Sequence, residues 1–455
     1  MSNLQASINY AHDHQNHFLE TLKELLRIPS VSTDPEMKPA IQKAAYWVAA
    51  YLIKLGIEKV QVIPTNGHPI VYGEYLKSGK DKPTVLVYGH YDVQPAEPLE
   101  LWTTGAFEPT IRENALFARG ASDMKGQVMA SLFAIESVMS QGQCPVNLKF
   151  LIEGEEEIGS PSLASFLEKN IEMLKSTVAL NTDTGMIAED VPTIAYGLRG
   201  LAFFEIRVYG PERDLHSGVF GGVVENPANA LCKLVGEMHD EHGKITLPGF
   251  YDKVASLSEE ERKQLARLPM DDDGYLRQTG SPAVWGEPGF TSTERIGARP
   301  TLDVNGMFSG FTGKGSKTII PSWAMAKISM RLVPNQDPEE VYGQLNSYMK
   351  QNAPKTIRWE IIKMNGSPAC FTDRESPATQ ALAKSLEEVW GKKPVFKREG
   401  GSVPIVSDMQ KILNIQSVLT GFGLPNDNIH APNEKLHLPT WFRGIDALIH
   451  FFYYL

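Results

Sequence analysis

The sequence of 455 residues predicts an α/β domain interrupted by a separate, inserted α+β domain. Three observations lead there. The length exceeds the roughly 250–300 residues at which a single hydrophobic core stops growing, so two domains are expected. Short apolar runs bounded by turn residues alternate with helical stretches towards both ends of the chain. The middle instead alternates apolar and polar residues, as strands do when they bury one face.

The segment 9–26 carries Phe18, Leu19, Leu22, Leu25 and Leu26 at helical spacing, and Arg27-Ile28-Pro29 ends it. It reads as an amphipathic docking helix with His12, His14 and His17 on its solvated surface. The apolar runs 84–88, 148–152, 178–180 and 416–419 then read as buried strands of one sheet with helices on both faces. In such sheets ligands bind beyond the carboxyl ends of the strands. Polar clusters stand at those ends: Gly89-His90-Tyr91-Asp92, Gly154-Glu155-Glu156-Glu157 and Asp183. In the middle, 201–208 and 324–332 read as half-buried antiparallel strands, with helices at 227–239 and 338–350 packed on one side. From Glu375 the first texture resumes with a helix to Trp390. The expected organisation is therefore a discontinuous domain of 1–197 and 373–455, with 198–372 inserted.

A formal net charge of −10 opposes binding to phosphate backbones, so no nucleic-acid partner is expected. The opening MSNLQASINYAHDHQ lacks a basic segment followed by an apolar one, and no window approaches the ~18–20 apolar residues of a membrane span. A soluble, cytoplasmic protein is expected. Cys144, Cys232 and Cys370 are odd in number and far apart, which fits buried free thiols. Without a CxxC pair, any metal must be held by imidazole and carboxylate.

His90 and Asp92 form an HxD pair in which the aspartate can orient the imidazole while its other nitrogen faces a metal. A satisfied turn is the plainer alternative. Asp123 stands in Arg119-Gly120-Ala121-Ser122-Asp123-Met124-Lys125-Gly126, before a helix at 127–139, where it is either a ligand or a helix cap. Glu153-Gly154-Glu155-Glu156-Glu157 places four carboxylates in five positions after a buried strand, a repulsion that a cation would relieve. Asp183 and His430 each follow another apolar run. Two histidines and several carboxylates at strand ends suit zinc, manganese or cobalt. Lys314-Gly315-Ser316-Lys317-Thr318 lacks the Gly-Lys-[Ser/Thr] order of a phosphate-binding loop, so a nucleotide is not expected.

With GHYDVQP at 89–95, ASDMKG at 121–126, GEEEIGS at 154–160, DLHSG at 214–218 and HAPNE at 430–434, the sequence resembles the aminoacylase–carnosinase family of co-catalytic di-zinc metallopeptidases. The resemblance spans essentially the whole chain. GLRG at 197–200, RLVPN at 331–335 and EGGS at 399–402 look like its nonspecific-dipeptidase branch in particular. It implies a mixed sheet in the catalytic domain and a lid and dimerisation role for the insertion. It implies that Asp123 bridges two divalent ions, Zn2+ or else Mn2+ or Co2+, with His90 and Asp183 on one and Glu157 and His430 on the other. Glu156 then resembles the general base, supported by Asp92. His216 resembles a histidine that a partner subunit contributes to the oxyanion, which implies a homodimer. Thr318, Arg331, Gly401 and Ser402 look like contacts to a small peptide substrate, with Arg331 suited to a bidentate carboxylate.

Three functions follow for comparison. A dipeptidase leads. An N-acyl amino acid amidohydrolase, of the acetylornithine or succinyl-diaminopimelate type, would use the same centre. An inactive binding homologue is disfavoured by the complete ligand set and Glu156.

Overall fold

The structure is a computed structural model that describes residues 2–455. The chain forms two compact units. One comprises the chain up to Tyr196 with Thr372–Lys397 and Ile405–Leu455, and the other Gly197–Phe371 with Arg398–Pro404.

The first unit is organised by a mixed, nine-stranded sheet. Its central path runs Glu58–Ile63, Ile70–Tyr75, Asn147–Glu153, Thr84–His90, Val178–Asn181, Ser417–Leu419 and Thr193–Leu198. The four apolar runs read from the sequence are its parallel centre: Thr84–His90 pairs in parallel with Asn147–Glu153 and with Val178–Asn181, which pairs in parallel with Ser417–Leu419. Each is buried along nearly its whole length, which is why these runs are largely apolar rather than alternating; Lys149, the buried charged exception, donates its ammonium group to the Met173 and Lys175 carbonyls. Parallel register brings their carboxyl ends to one edge, with His90 directly opposite Glu153.

The helix Lys125–Met139 is buried almost all round, and Val128, Leu132 and Phe133 lose essentially all contact with water. Phe133 stacks on Phe18 at 4.2 Å and meets Trp441 edge-on at 5.9 Å. Trp441, on the helix Leu438–Tyr454, donates its indole N–H to the Gly126 carbonyl at 2.8 Å. Burial of side chains this large contributes about 1.5–3 kcal/mol each, so the helix that follows Asp123 is anchored in the core of this unit.

The second unit holds a four-stranded antiparallel sheet in the order Thr301–Ser309, Trp323–Leu332, Gly200–Tyr209, Arg358–Ser367. Alternation is clean. Ala324, Ala326, Ile328, Met330 and Leu332 are buried with Leu231, Leu234, Leu345 and Met349 of the helices Pro227–Gly236 and Pro338–Asn352. The intervening Lys327, Ser329 and Arg331 therefore point to the opposite face.

The structure departs from the sequence expectations in four places. The first helix is two, Asn3–Asp13 and Gln15–Leu26, broken at His14, whose Nδ1 lies 2.8 Å from the Tyr10 carbonyl. The helix beginning at Pro227 stops at Gly236. All three cysteines are free, but Cys232 is exposed, because it lies on the solvent side of that helix. The segment Arg398–Pro404 groups with the second unit, tied there by Arg199 and Arg331. Among the described residues no helix is long and apolar enough to cross a membrane.

Candidate metal centre

His90 is the last residue of its strand and is wholly buried. Its Nδ1 lies 3.0 Å from the Asp92 carbonyl oxygen and 3.3 Å from Asp92 Oδ1. This contact places a proton on Nδ1, so that in the neutral ring the Nε2 lone pair is available to a cation. Nε2 is buried and has no hydrogen-bond partner, yet Asp123 Oδ1 is 3.4 Å away and Glu156 Oε2 and Asp183 Oδ2 are each 3.9 Å away. A buried nitrogen without a partner, ringed by carboxylates, is the environment a cation would complete.

Asp123 occupies the turn before the Lys125–Met139 helix, joined to Met124 by a cis peptide bond. The turn is tight: a Cβ on Gly126 would stand 2.0 Å from the Ala121 carbonyl oxygen, so only glycine fits there. Asp123 does not cap the helix, and its two oxygens face two imidazoles. Oδ1 looks to His90, while Oδ2 lies 2.9 Å from His430 Nε2. His430, held in an uncommon left-handed backbone with φ 62°, also approaches Glu157 Oε2 at 3.2 Å. Gln94 donates to that same Glu157 oxygen at 2.8 Å. Asp183 follows Asn181, whose side chain accepts the Asp183 N–H at 2.7 Å.

The structure brings the five candidate ligands together, with Asp123 and Asp183 near His90, and Asp123 and Glu157 near His430. His90, Asp123 and Glu157 each offer a ligand atom within 4.8 Å of the others. Imidazole nitrogen and carboxylate oxygen in this proportion suit borderline divalent ions.

The electrostatics agree with that chemistry. Burial and then the charge of Asp123 push Asp183 up to about 7. Glu156 is raised well above the usual carboxylate range by burial, His90 opposing and Asp183, Glu157 and Asp123 adding to the rise. His430 is pushed up to about 10 by its contacts with Asp123 and Glu157 against the cost of burial. Burial opposes charge on His90 as well, but Asp123 and Asp92 outweigh it and hold its pKa well above normal.

Only part of the acidic run faces this centre. Glu153 accepts from Tyr88 and Ser160 at 2.8 and 2.9 Å, and Glu155 from the His68 and Ser162 N–H groups at 2.8 and 3.1 Å. The repulsion expected of four carboxylates is therefore solved for two of them by protein donors. Glu156 and Glu157 remain, in the short turn Glu156–Ile158, and their N–H groups donate to Asp92 Oδ1 and Oδ2 at 3.3 and 3.1 Å. Asp92 thus orients His90 through its carbonyl and fixes the Glu156 turn through its carboxylate.

The remaining predicted residues lie in the second unit. His216 pairs with Ile319 in a two-stranded ribbon, next to Thr318, and both side chains are exposed. The Thr318 carbonyl accepts the Ser217 N–H at 3.1 Å, and His216 Nδ1 accepts the Gly218 N–H at 3.0 Å. Arg331 Nη1 donates to Ser402 Oγ at 2.8 Å, so these two meet, with Gly401 beside them in the chain.

Glu434 was quoted in a motif but given no role by the sequence, and it supports the centre directly. Wholly buried, it accepts from Arg119 and from three consecutive-turn N–H groups, those of Gly120, Ser122 and Asp123. Its position in HAPNE, four residues after a candidate ligand, was the available signal.

Known proteins resemble this chain along nearly its whole length. The chain is 32% identical to the Cys-Gly metallodipeptidase DUG1 of Candida albicans, covering 96% of this chain and 94% of that protein. It is 30% identical to the human β-Ala-His dipeptidase, over 99% and 92% respectively. Among solved structures, the metallo-carboxypeptidase Sso-CP2 of Sulfolobus solfataricus superposes with a TM-score of 0.88 at 34% identity, covering 96% of this chain and 98% of that one. Residues 86–453, which contain every candidate ligand, match peptidase family M20/M25/M40, and the chain belongs to that family.

Proposed function

We propose that this protein hydrolyses the peptide bond of dipeptides at a centre of two divalent ions held by His90, Asp123, Glu157, Asp183 and His430. The observation that carries the proposal is Asp123, whose two oxygens face two imidazoles while Glu156 stands beside them. Zinc is the expected ion, with manganese or cobalt as chemically acceptable substitutes. Ions in this centre supply Lewis acidity, which lowers the pKa of water and polarises a carbonyl group.

The chain's own residues do the rest. Glu156 takes a proton from the attacking water and hands it on to the leaving amine. Asp92 holds the Glu156 turn and the His90 tautomer in register. Arg331, Ser402, Gly401 and Thr318 receive the peptide's backbone and terminal carboxylate, a fork-shaped cation being suited to that anion. His216 donates to the developing oxyanion of a neighbouring subunit. A homodimer built through the second unit accounts for the exposed Val219, Val223, Phe308 and Phe311 of that unit, apolar surface that a second copy would cover.

The likeness to two dipeptidases supports this substrate class. The likeness to Sso-CP2 favours a second reading, removal of the C-terminal residue from longer peptides, since the same arginine would recognise either carboxylate. The test is metal analysis joined to turnover of dipeptides, tripeptides and N-acyl amino acids. Dipeptide hydrolysis with two ions per chain supports the proposal. Preference for longer peptides selects the second reading, and turnover of N-acyl amino acids alone rejects both.

A further inference from the structure

The geometry points to Arg199 as a positioning residue of the carboxylate pocket: it clamps the loop 400–402 so that Ser402 stays on Arg331, and it adds a second positive charge beside the bound anion. This inference rests on the reading of Arg331 as the carboxylate contact.

Strand register sets up the pair. Arg331 stands opposite Leu201 on the neighbouring strand, on the sheet face away from the two helices. Alternation returns to that face two residues earlier, at Arg199, a diagonal neighbour of Arg331. Arg199 then makes two separate contacts with the loop. Its backbone N–H donates to the Gly401 carbonyl at 3.2 Å and its Nε–H to the Gly400 carbonyl at 2.8 Å. The approach is close enough that a Cβ on Gly400 would stand 2.8 Å from Ile296 Cγ2 and 3.2 Å from an Arg199 guanidinium nitrogen. Ser402, two residues along, accepts from Arg331 at 2.8 Å. The loop is thus tied by one arginine and presented to another.

Charge supplies the second line of argument. Among the described residues no carboxylate lies within ion-pair distance of Arg199 or Arg331. Arg299 in the same unit shows the contrast, paired with Glu287 at 2.7 Å. Arg199's remaining contact is again a neutral carbonyl, that of Arg299 at 3.4 Å. Burial, and then the charge on Arg331, push Arg199 down to about 10, while Asp303 and Glu399 offset this only in part. Burial likewise holds Arg331 below the usual arginine range. Two partly buried cations that repel each other, whose hydrogen bonds go only to neutral carbonyl and hydroxyl oxygens, are complete only when an anion arrives. The α-carboxylate of a peptide is the anion that the proposed reaction brings.

The experiment compares Arg199→Met, Arg199→Lys and Arg331→Met in the metal-loaded enzyme, using one dipeptide and its C-terminal amide, the amide serving as a competitive inhibitor where it is not turned over. Arg199→Met should raise KM for the free acid by about tenfold or more, as loss of a charged hydrogen-bonding group does, with kcat changed less than about threefold. Affinity for the amide should stay unchanged, and Arg199→Lys, which keeps the charge but loses the Nε clamp, should fall between. Equal losses for acid and amide, or an unchanged KM for the acid, would overturn the inference. If Arg331→Met weakens the acid and Arg199→Met does not, Arg199 alone is wrong. If neither does, the carboxylate pocket itself is wrong.

Discussion

One carboxylate oxygen of Glu434 accepts the backbone N–H of Asp123 at 3.1 Å, so the orientation of the central carboxylate is set by a residue 311 positions away in the chain. The same oxygen holds Ser122 at 2.9 Å, and the other holds Gly120 and Arg119 at 3.0 and 2.7 Å. Supporting groups of this kind typically account for about 10–100-fold in metal affinity. Glu434→Gln replaces one acceptor by an amide donor aimed at backbone N–H groups. We expect metal affinity to fall by about that range, measured by competition with a chelating dye, with the zinc-free fold retained by circular dichroism. Unchanged affinity would show that the tight turn before Gly126 positions Asp123 unaided.

Glu156→Gln separates binding from chemistry. Glu156 lies 3.9 Å from His90 Nε2, but it is not one of the five proposed ligands, so the variant should retain two metal ions per chain. Removal of the proton acceptor should lower kcat by about 10²–10⁴-fold, with little change in KM. Metal content by elemental analysis and kcat from the same preparation test both halves. Loss of metal would make Glu156 a ligand, and full turnover would remove it as the base.

Proton and metal compete for the same groups, which fixes a sign. In the metal-free protein Asp183 binds its proton more tightly than in the unfolded chain, with a pKa about 7 instead of 3.8. Its stabilising effect is complete below the unfolded value and is lost as pH rises through about 7. His430, at about 10 instead of 6.5, acts in the same direction over a higher window. Asp123, depressed by its imidazole neighbours against the cost of burial, acts oppositely, but only in more acidic solution. The metal-free protein should therefore lose thermal stability from about pH 5 to about pH 8, while stabilisation by added zinc grows, because fewer protons must be displaced. Thermal midpoints with and without zinc across that range measure the gap. A gap that stays constant would contradict the assignment of these groups as ligands.

What the sequence disclosed follows from the range of the interactions concerned. The strands ending at His90, Glu153 and Asn181 are legible because parallel strands buried on both faces are mostly apolar, and a polar cluster at such an end stands out. The half-buried strand holding Arg331 is legible through its period of two. The role of Glu434 is not, since its partners, the Arg119 guanidinium and the N–H groups of Gly120, Ser122 and Asp123, stand some 300 residues earlier, and beyond its place in HAPNE nothing near it in the chain points to them. Glu155 looked like a candidate for cation binding because its actual donors, the N–H groups of His68 and Ser162, are likewise invisible in residue identity. The same holds for Arg398–Pro404: local texture assigns it to the first unit, whereas Arg199 and Arg331 hold it in the second.

His216 offers a test of assembly and mechanism together. Its side chain is exposed on a ribbon of the second unit, beside the exposed apolar Val219 and Val223, and the proposal has it act on the centre of a neighbouring molecule. His216→Ala and Glu156→Gln should each be nearly inactive as pure preparations. In a mixed dimer, however, one centre draws an intact Glu156 from one chain and an intact His216 from the other. Random exchange of equal amounts places half of all chains in mixed dimers, each with one complete centre, so about a quarter of wild-type activity should return. Subunit exchange is promoted by dilution or mild denaturant and followed by activity against time, with the dimer itself measured by sedimentation. Recovery near that level requires donation across the interface. If the mixture stays as inactive as its parts while sedimentation shows that the chains have exchanged, His216 serves its own subunit or plays no part in the reaction.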